Sequence, residues 1–286
     1  WLKFRKPHGA CPLEPAAHMC MCTIVFALAL CLALAAAKAE PALAGIGGGA
    51  LASGLEHIYF GNGCFWARQH LFVEEFERKQ LGRKETELTA IAGYAGSLRT
   101  GVGGTACYHN PKNFSDYGLM GHAEVVQVDV PAGAAVGAFS TYFKSFVEVS
   151  PGQWVREDYY DQGSEYRSVV GFAGGVGNSQ LMAAMRQANL HNMTLLPGHG
   201  SDPDTFEAGV VYVMDSSHFA FIQAELCLQF HDDQRVKYPA SYHALRHLAE
   251  ERGLVTHTSC PPNYVCNETV KMAPMAVAAG AASLLV

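Results

Sequence analysis

The sequence predicts an α+β sandwich in which helices cover one face of a sheet, with a split β-α-β-β-α-β order of elements. Two observations favour this class. Short apolar or alternating runs bounded by glycine and proline have the length and period of strands, and longer runs between them carry apolar residues at helical spacing. The chain shows no internal repeat, and a central part of about 210 residues suffices for one domain with a full hydrophobic core.

The first half of the pattern runs from a short buried strand to the clearest strand of the chain. After the first strand, apolar residues that include Leu71, Phe72 and Phe76 recur at helical spacing and predict a helix. A polar, glycine-rich excursion then separates a second strand from an alternating strand that ends at Pro131. The predicted elements are a strand at 57–61, a helix at 67–76 and strands at 87–94 and 122–130.

The second half completes the split arrangement and extends it. Aromatic residues at helical spacing predict a helix at 136–147, and a strand follows at 166–172. These six elements form a ferredoxin-like core with long loops. The segment 171–177 is rich in glycine, but it lacks both the G-x-G-x-x-G register and a Walker lysine, so we interpret it as an ordinary turn. The additional elements are a helix at 179–188, a strand at 208–213 and a helix at 217–230.

The two ends of the chain differ from globular protein. Residues 21–37 are almost unbroken apolar, basic residues precede them, and Ala37-Lys38-Ala39 follows, which predicts a secretory signal cleaved after Ala39. The short apolar length disfavours a membrane anchor, and a plastid presequence is the alternative. The last segment suits a removable lipid-anchor signal or a frayed tail. The expected divisions are a signal or targeting segment at 1–39, a linker at 40–56, a central domain at 57–235, a C-terminal extension at 236–270 and an apolar tail at 271–286.

The charge of the chain limits the kinds of partner it can bind, and its glycosylation patterns indicate a cellular location. The formal net charge is −6 without any basic block, which excludes nucleic acid as the main partner because that role needs a clustered positive footprint. Asn113, Asn192 and Asn267 each begin a glycosylation acceptor pattern. We therefore expect the secretory pathway, the cell exterior or attachment to a membrane.

The cysteines favour a redox role. Four of the nine fall in the segment 1–39, which leaves an odd number in the rest of the chain. In an oxidising compartment, an odd number of cysteines leaves at least one thiol that is unpaired or that alternates between reduced and oxidised forms. This favours a redox role over a fold held together only by structural disulfides. The five remaining cysteines are Cys64, Cys107, Cys227, Cys260 and Cys266.

Cys64 has the most informative surroundings of these five. It lies between the first strand and the first helix, within Gly63-Cys64-Phe65-Trp66. A helix N-terminus favours the thiolate, which is the nucleophilic form, and the two aromatic residues supply an apolar wall. The alternative is a buried structural cysteine, because free cysteine is among the most buried residue types.

Two further groups could act on a substrate held there. Alternation along 122–130 places Glu124 on the same face as valines, so burial should raise its pKa and let it donate a proton; the alternative is a sheet-end glutamate that reaches solvent. Asp161 and Tyr166 lie in a loop that leads into a strand, where a tyrosine hydroxyl could orient an oxygen that gains charge. That loop could also be simply solvated.

His243 and His247 have i, i+4 spacing without a third ligand, so no metal site is predicted.

Taken together, these motifs resemble the methionine sulfoxide reductase A family. The matching segments keep the family's order from about Ile58 to Phe230, and each alone would be a weak signal. They are Gly63-Cys64-Phe65-Trp66, Gly93-Tyr94-Ala95-Gly96, Gly121-His122-Ala123-Glu124-Val125-Val126, Asp161-Gln162-Gly163-Ser164-Glu165-Tyr166-Arg167-Ser168 and Ala224-Glu225.

The resemblance implies a reductase of methionine S-sulfoxide, free or in proteins, with Cys64 as the nucleophile that becomes a sulfenic acid. It implies that Phe65 and Trp66 hold the substrate methyl group. Glu124 would be the acid, and Asp161 and Tyr166 would hold the sulfoxide oxygen. No metal or organic cofactor is expected, and the protein is expected to be a monomer.

The same resemblance implies recycling by a second thiol. Cys260, in a proline-rich tail, is the first choice for the resolving cysteine, and Cys266 could relay the disulfide outward to thioredoxin or another dithiol. The alternative is a structural disulfide between Cys260 and Cys266.

The chain departs from the family pattern in places. Ala67 replaces a glycine after the tryptophan, and a second tyrosine is missing in register, for which Tyr108 or Tyr117 could substitute. Cys227-Leu228 stands where the family has Tyr-His. Two other classes therefore stay open: a hydrolase or acyl-transferase that uses Cys64 with His122, and a non-catalytic module that binds methionine peptides.

Overall fold

The computed structural model describes residues 54–266, which form a mixed α+β structure and confirm the predicted class. A π-helical segment, Phe72–Gln80, continues the first helix, and short 3-10 turns occur in the loops. The strands are β1 Leu55–Gly61, β2 Ile91–Ala95, β3 Ala123–Pro131, β4 Phe146–Ser150, β5 Gln153–Arg156, β6 Val169–Phe172, β7 Thr194–Pro197, β8 Val210–Asp215 and β9 Ile222–Gln223. The α-helices are α1 Phe65–Leu71, α2 Ala135–Phe143, α3 Ser179–Ala188 and α4 Ala240–Glu251.

A seven-stranded sheet organises the domain in the order β7-β8-β6-β1-β3-β2-β9. In its central part, β6, β1, β3 and β2 are neighbours and every adjacent pair is antiparallel. Thus β3 lies between β1 and β2, which are joined through α1. The strands β8 and β7 extend one edge in parallel with β6, and β4 and β5 form a separate hairpin.

Alternation along β3 divides the buried side chains between the two faces of the sheet. Val126, Val128 and Val130 belong to the larger core, which also contains the aromatic residues of α1 and α2. Ala123 and Val125 belong to a smaller cluster on the opposite face. Period-two alternation in a half-buried strand produces this division.

The predicted helix at 217–230 is wrong. Its backbone instead forms β9 and a 3-10 turn, Leu226–Leu228. The Gln229 side chain accepts from Ala92 N at 2.8 Å and donates to Ala92 O at 2.9 Å. These bonds hold the end of the segment against β2, and tertiary contacts of this kind override local helical spacing.

The remaining boundaries vary in accuracy. The helix at 179–188 is confirmed as α3, whereas the helix predicted at 136–147 ends at Phe143 because Phe146 begins the hairpin strand β4. The glycine-rich segment contains the end of β6 and a 3-10 turn, Gly175–Gly177. Strands β4, β5 and β7 were not predicted.

The terminal predictions lie largely outside the described residues. The segment 1–39, nearly all of the linker, the Asn267 pattern and the tail at 271–286 fall there. Among residues 54–266, no helix combines the length and apolar character needed to cross a membrane.

Candidate active site

The turn that follows β1 places Cys64 at the N-cap of α1. Gly63 has φ +75°, and a Cβ there would lie 2.5 Å from Asp158 Cβ, so only glycine fits. Asn62 stabilises the turn, because its side chain donates to Ser145 O at 2.9 Å and accepts from Ser168 Oγ at 2.7 Å. A rigid strand-to-helix turn therefore positions the thiol.

Two carboxyl groups cap the start of this helix. Asp158 Oδ2 accepts from Cys64 N at 2.8 Å, and Glu124 Oε2 accepts from Phe65 N at 2.9 Å. The first N–H groups of a helix lack intrahelical partners, and its positive end favours acidic groups. The structure thus brings Glu124 on β3 beside Cys64. Asp158 was not among the predicted site residues, and the only signal for it was its place in the acidic, tyrosine-rich loop.

Burial governs the protonation of Cys64. The residue is 3% exposed, and its pKa is raised well above the ordinary value, first by burial and then by the nearby Glu124. A hydrogen bond from Trp66 N acts in the opposite direction but does not prevail. The expectation that the helix terminus yields a thiolate is therefore wrong for this structure. Cys64 is held as a thiol, because burial and the neighbouring Glu124 disfavour its charged form.

Glu124 has the raised pKa that its position predicts. It is 1% exposed, and burial raises the pKa of its carboxyl group to about 8 against the hydrogen bonds from Phe65 N and Tyr117. The Tyr117 hydroxyl donates to Glu124 Oε1 at 2.8 Å. Glu124 is thus mostly protonated at neutral pH and can donate a proton.

Tyrosines surround this carboxyl group. Tyr117 stacks on Tyr94 with ring centroids 4.5 Å apart, and Tyr108 lies 6.2 Å from the rings of both Phe65 and Trp66. Tyr117 therefore contacts the acid, and Tyr108 joins the wall, so both candidates for the missing tyrosine are at the site.

The loop residues predicted for the oxygen also reach the site. Burial, and then the negative charges of Glu124 and Asp161, raise the pKa of Tyr166, while Tyr117 acts in the opposite direction. Burial and the adjacent Asp158 raise the pKa of Asp161 to about 6. The Gln234 side chain donates to Asp161 Oδ1 at 3.2 Å.

The aromatic wall is Phe65, fully buried, and Trp66, 5% exposed. Trp66 Nε1 donates to Leu228 O at 3.0 Å, and the indole ring stacks on His231 at 4.6 Å. The backbone at Leu228 thus holds the tryptophan in place.

Glu225 links the wall to the C-terminal tail. Its carboxylate accepts from Tyr94 Oη at 2.9 Å, from Tyr108 N at 2.8 Å and from Asn263 Nδ2 at 3.3 Å. Asn263 is 1% exposed. The tail is therefore linked to Tyr94 and Tyr108, and the Tyr108 ring stacks on the aromatic wall.

The tail cysteines form disulfides with the body of the domain. Cys260 pairs with Cys107 and Cys266 pairs with Cys227. The alternative of a disulfide between Cys260 and Cys266 is wrong, because the buried Asn263 anchors the chain between them and the two sulfurs reach different partners. Within residues 54–266, Cys64 is the cysteine left as a free thiol. Cys227, Cys260 and Cys266 line a cavity of about 520 Å³.

The histidines named from the sequence have other contacts. His122 Nε2 lies 2.6 Å from Arg99 O, and burial lowers the pKa of the ring. His243 contacts Phe230 O at 2.8 Å and Asp232 at 3.1 Å. In the described part of the chain, one cluster has side chains of the kind that bind metal ions, namely Cys107, Glu225 and Cys260. The two cysteines of this cluster are joined in a disulfide.

The fold and the site define an α+β domain with a buried thiol at a helix start, a protonated carboxyl group beside it and an aromatic wall, an arrangement suited to thiol-based redox chemistry. No family model matches the chain. A protein described as peptide methionine sulfoxide reductase MsrA from Agrobacterium fabrum is 32% identical over 69% of this chain and 77% of its own length. One of the same description from Pseudomonas syringae pv. tomato is 28% identical over 61% and 72%.

The chain therefore belongs to the peptide methionine sulfoxide reductase MsrA family, which confirms the resemblance in the motifs. A solved structure, methionine sulfoxide reductase A of Corynebacterium diphtheriae, is 19% identical, covers 60% of this chain and 71% of its own, and has a TM-score of 0.37. The family assignment does not depend on it.

Proposed function

We propose that this protein reduces the S epimer of methionine sulfoxide, free or in polypeptides, to methionine. As a member of its family it is an oxidoreductase acting on methionine sulfoxide. The observation that carries the finer proposal is the placement of the Glu124 carboxyl group beside the Cys64 thiol, where it accepts from the N–H of the next residue, Phe65, and where burial raises the pKa of both groups.

The pair can perform the reduction without an external acid. Glu124 donates its proton to the sulfoxide oxygen, which makes the substrate sulfur electrophilic, and the Cys64 sulfur attacks. The oxygen leaves the substrate sulfur and ends on Cys64 as a sulfenic acid, while the thiol proton restores the acid form of Glu124. Cys64 is oxidised by two electrons and methionine is released. Tyr166 and Asp161 hold the oxygen, and Phe65 and Trp66 enclose the methyl group.

Recycling requires a thiol other than Cys64. We propose that a dithiol such as thioredoxin opens the Cys107–Cys260 disulfide, after which Cys260 condenses with the sulfenic acid and releases water. The resulting disulfide is reduced by another dithiol, either directly or through Cys266 after the dithiol has reduced the Cys227–Cys266 disulfide. The role of this tail is supported by its link through Glu225 to Tyr108, whose ring stacks on the aromatic wall.

The proposal is tested by incubating the purified protein with each epimer of methionine sulfoxide and dithiothreitol. We expect turnover of the S epimer and none of the R epimer, because only one epimer presents its oxygen to Glu124 while its methyl group faces Trp66. Absence of S-epimer reduction would contradict the proposed function.

Replacing Cys260 by serine tests the recycling step. The variant is expected to keep turnover with dithiothreitol, which reduces the sulfenic acid directly, but to lose at least about tenfold with thioredoxin, which needs a protein disulfide. Steady-state rates with the two reductants provide the measurement, and the dithiothreitol rate is the internal control. Full thioredoxin-dependent turnover would remove Cys260 from the mechanism.

A further inference from the structure

Two adjacent tyrosines are prominent on the surface beside the site. Tyr159 is 61% exposed and Tyr160 is 66% exposed. They lie between Asp158, which caps Cys64 N, and Asp161. The mechanism uses neither ring, although exposed aromatic clusters of this kind mark interaction sites.

The two tyrosines form a row with Phe206, and we call Tyr160, Tyr159 and Phe206 the aromatic shelf. The ring centroids of Tyr160 and Tyr159 are 5.8 Å apart, and those of Tyr159 and Phe206 are 5.5 Å apart. A guanidinium flanks each end, with Arg235 Cζ 4.1 Å from the Tyr160 centroid and Arg156 Cζ 4.9 Å from that of Phe206. The shelf is thus an ordered aromatic surface.

The backbone beneath the shelf is fixed. Asp158 Oδ1 accepts from Tyr160 N at 3.2 Å and from Asp161 N at 3.3 Å. Arg156 Nη2 donates to Asp161 O at 2.5 Å. A ligand that binds such a preorganised surface loses little free energy to ordering the loop.

The shelf is continuous with the wall of the active site through the segment 231–235. His231 stacks on Trp66 at 4.6 Å, Gln234 donates to Asp161 at 3.2 Å, and Arg235 covers Tyr160. The shelf therefore lies next to the segment that borders the Trp66 ring.

We propose that the shelf binds the polypeptide that flanks the methionine sulfoxide, in an extended conformation and with apolar side chains against the rings. This rests on the proposed function and assigns the shelf a role in selecting the residues that flank the sulfoxide. Side chains on one face of an extended chain recur every second residue, at about 6.6 Å, which is close to the 5.5 and 5.8 Å spacing of the rings. Residues two and four positions from the sulfoxide would make the contacts.

The test compares three substrates with dithiothreitol as reductant. They are free methionine sulfoxide, a capped peptide with glycine on both sides of the sulfoxide, and the same peptide with leucine two and four positions away on either side. The protein is compared with the double variant Tyr159→Ser, Tyr160→Ser, and with Tyr264→Ser, which removes a tyrosine of similar exposure, 63%, from the tail.

For the unaltered protein and for Tyr264→Ser, kcat/KM on the leucine peptide is expected to exceed that on the glycine peptide about tenfold. In the double variant this preference falls to about twofold or less, while the rate on free methionine sulfoxide stays the same. An unchanged preference would overturn the proposal. An equal loss on all three substrates would also overturn it, because the loop would then only position Asp158 and Asp161. Inactivity of the unaltered protein on every substrate would instead refute the proposed function, and the shelf proposal with it.

Discussion

Replacing Cys64 by serine is expected to abolish sulfoxide reduction, with a loss of at least about 10⁴-fold in kcat, because a hydroxyl oxygen cannot pass through a sulfenic acid. The fold should persist. Serine differs from cysteine by one atom, and Asp158 accepts from the backbone N–H at this position rather than from the side chain. The measurement is turnover of the S epimer with dithiothreitol, and thermal unfolding provides the control for folding.

The oxidised intermediate gives a second measurement. One equivalent of S epimer without reductant should convert Cys64 of the unaltered protein into a species trapped by dimedone, visible as an adduct on the peptide that contains Cys64. The two tail disulfides leave Cys64 as the free thiol among residues 54–266, so the adduct should occur at this position. Turnover by the serine variant above one tenth of the original rate would remove Cys64 from the chemistry.

Replacing Glu124 by glutamine is expected to lower kcat/KM by about 10²–10⁴-fold, the usual contribution of a positioned acid. The amide retains the acceptor for Phe65 N, so the helix start is preserved, but it has no carboxyl proton to give. The pH profile separates this role from a structural one. Because the pKa of Glu124 is about 8 and the protonated form is active, kcat/KM should be level below that pH and fall above it. In the glutamine variant this fall should be absent.

Tyr117→Phe is the companion to that variant. Its hydroxyl group lowers the pKa of Glu124 by hydrogen bonding to the carboxylate, so its removal should move the falling limb of the profile to higher pH. A limb that stays in place would show that Glu124 is not the titrating group.

The same pKa shift predicts a change in stability with pH. The folded protein holds the Glu124 proton more tightly than the unfolded chain does, since the pKa rises from 4.5 to about 8. The contribution of Glu124 to the free energy of unfolding is therefore complete below its pKa in the unfolded chain. It is lost as the pH rises through its pKa in the folded protein, about 8. Thermal unfolding at pH 5 and pH 9 should show a smaller decline for Glu124→Gln than for the unaltered protein.

The nearby carboxyl groups show how far the sequence could predict the site. Alternation along 122–130 placed Glu124 on the apolar face, and burial does raise its pKa. Asp158 gave no such signal, because its loop carries several carboxylates and only the folded backbone brings one of them to Cys64 N. The protonation of Cys64 was mispredicted for the same reason. The helix start was recognised, but burial and the neighbouring Glu124, which comes from a distant part of the chain, raise the pKa of the thiol.

The sequence by itself determined the α+β class, the central strands, the strand-to-helix turn at Cys64, the apolar wall of Phe65 and Trp66, and the buried acid. Each follows from the periodicity of apolar residues or from residues a few positions apart in the sequence. These local patterns do not depend on contacts between distant parts of the chain. Only the tertiary structure decided the short strand and the 3-10 turn within 217–230, the contact of Tyr117 with Glu124, and the pairing of Cys260 with Cys107 and of Cys266 with Cys227. These depend on contacts between residues far apart in the chain, such as the anchoring of Asn263 by Glu225, and local spacing carries no information about them.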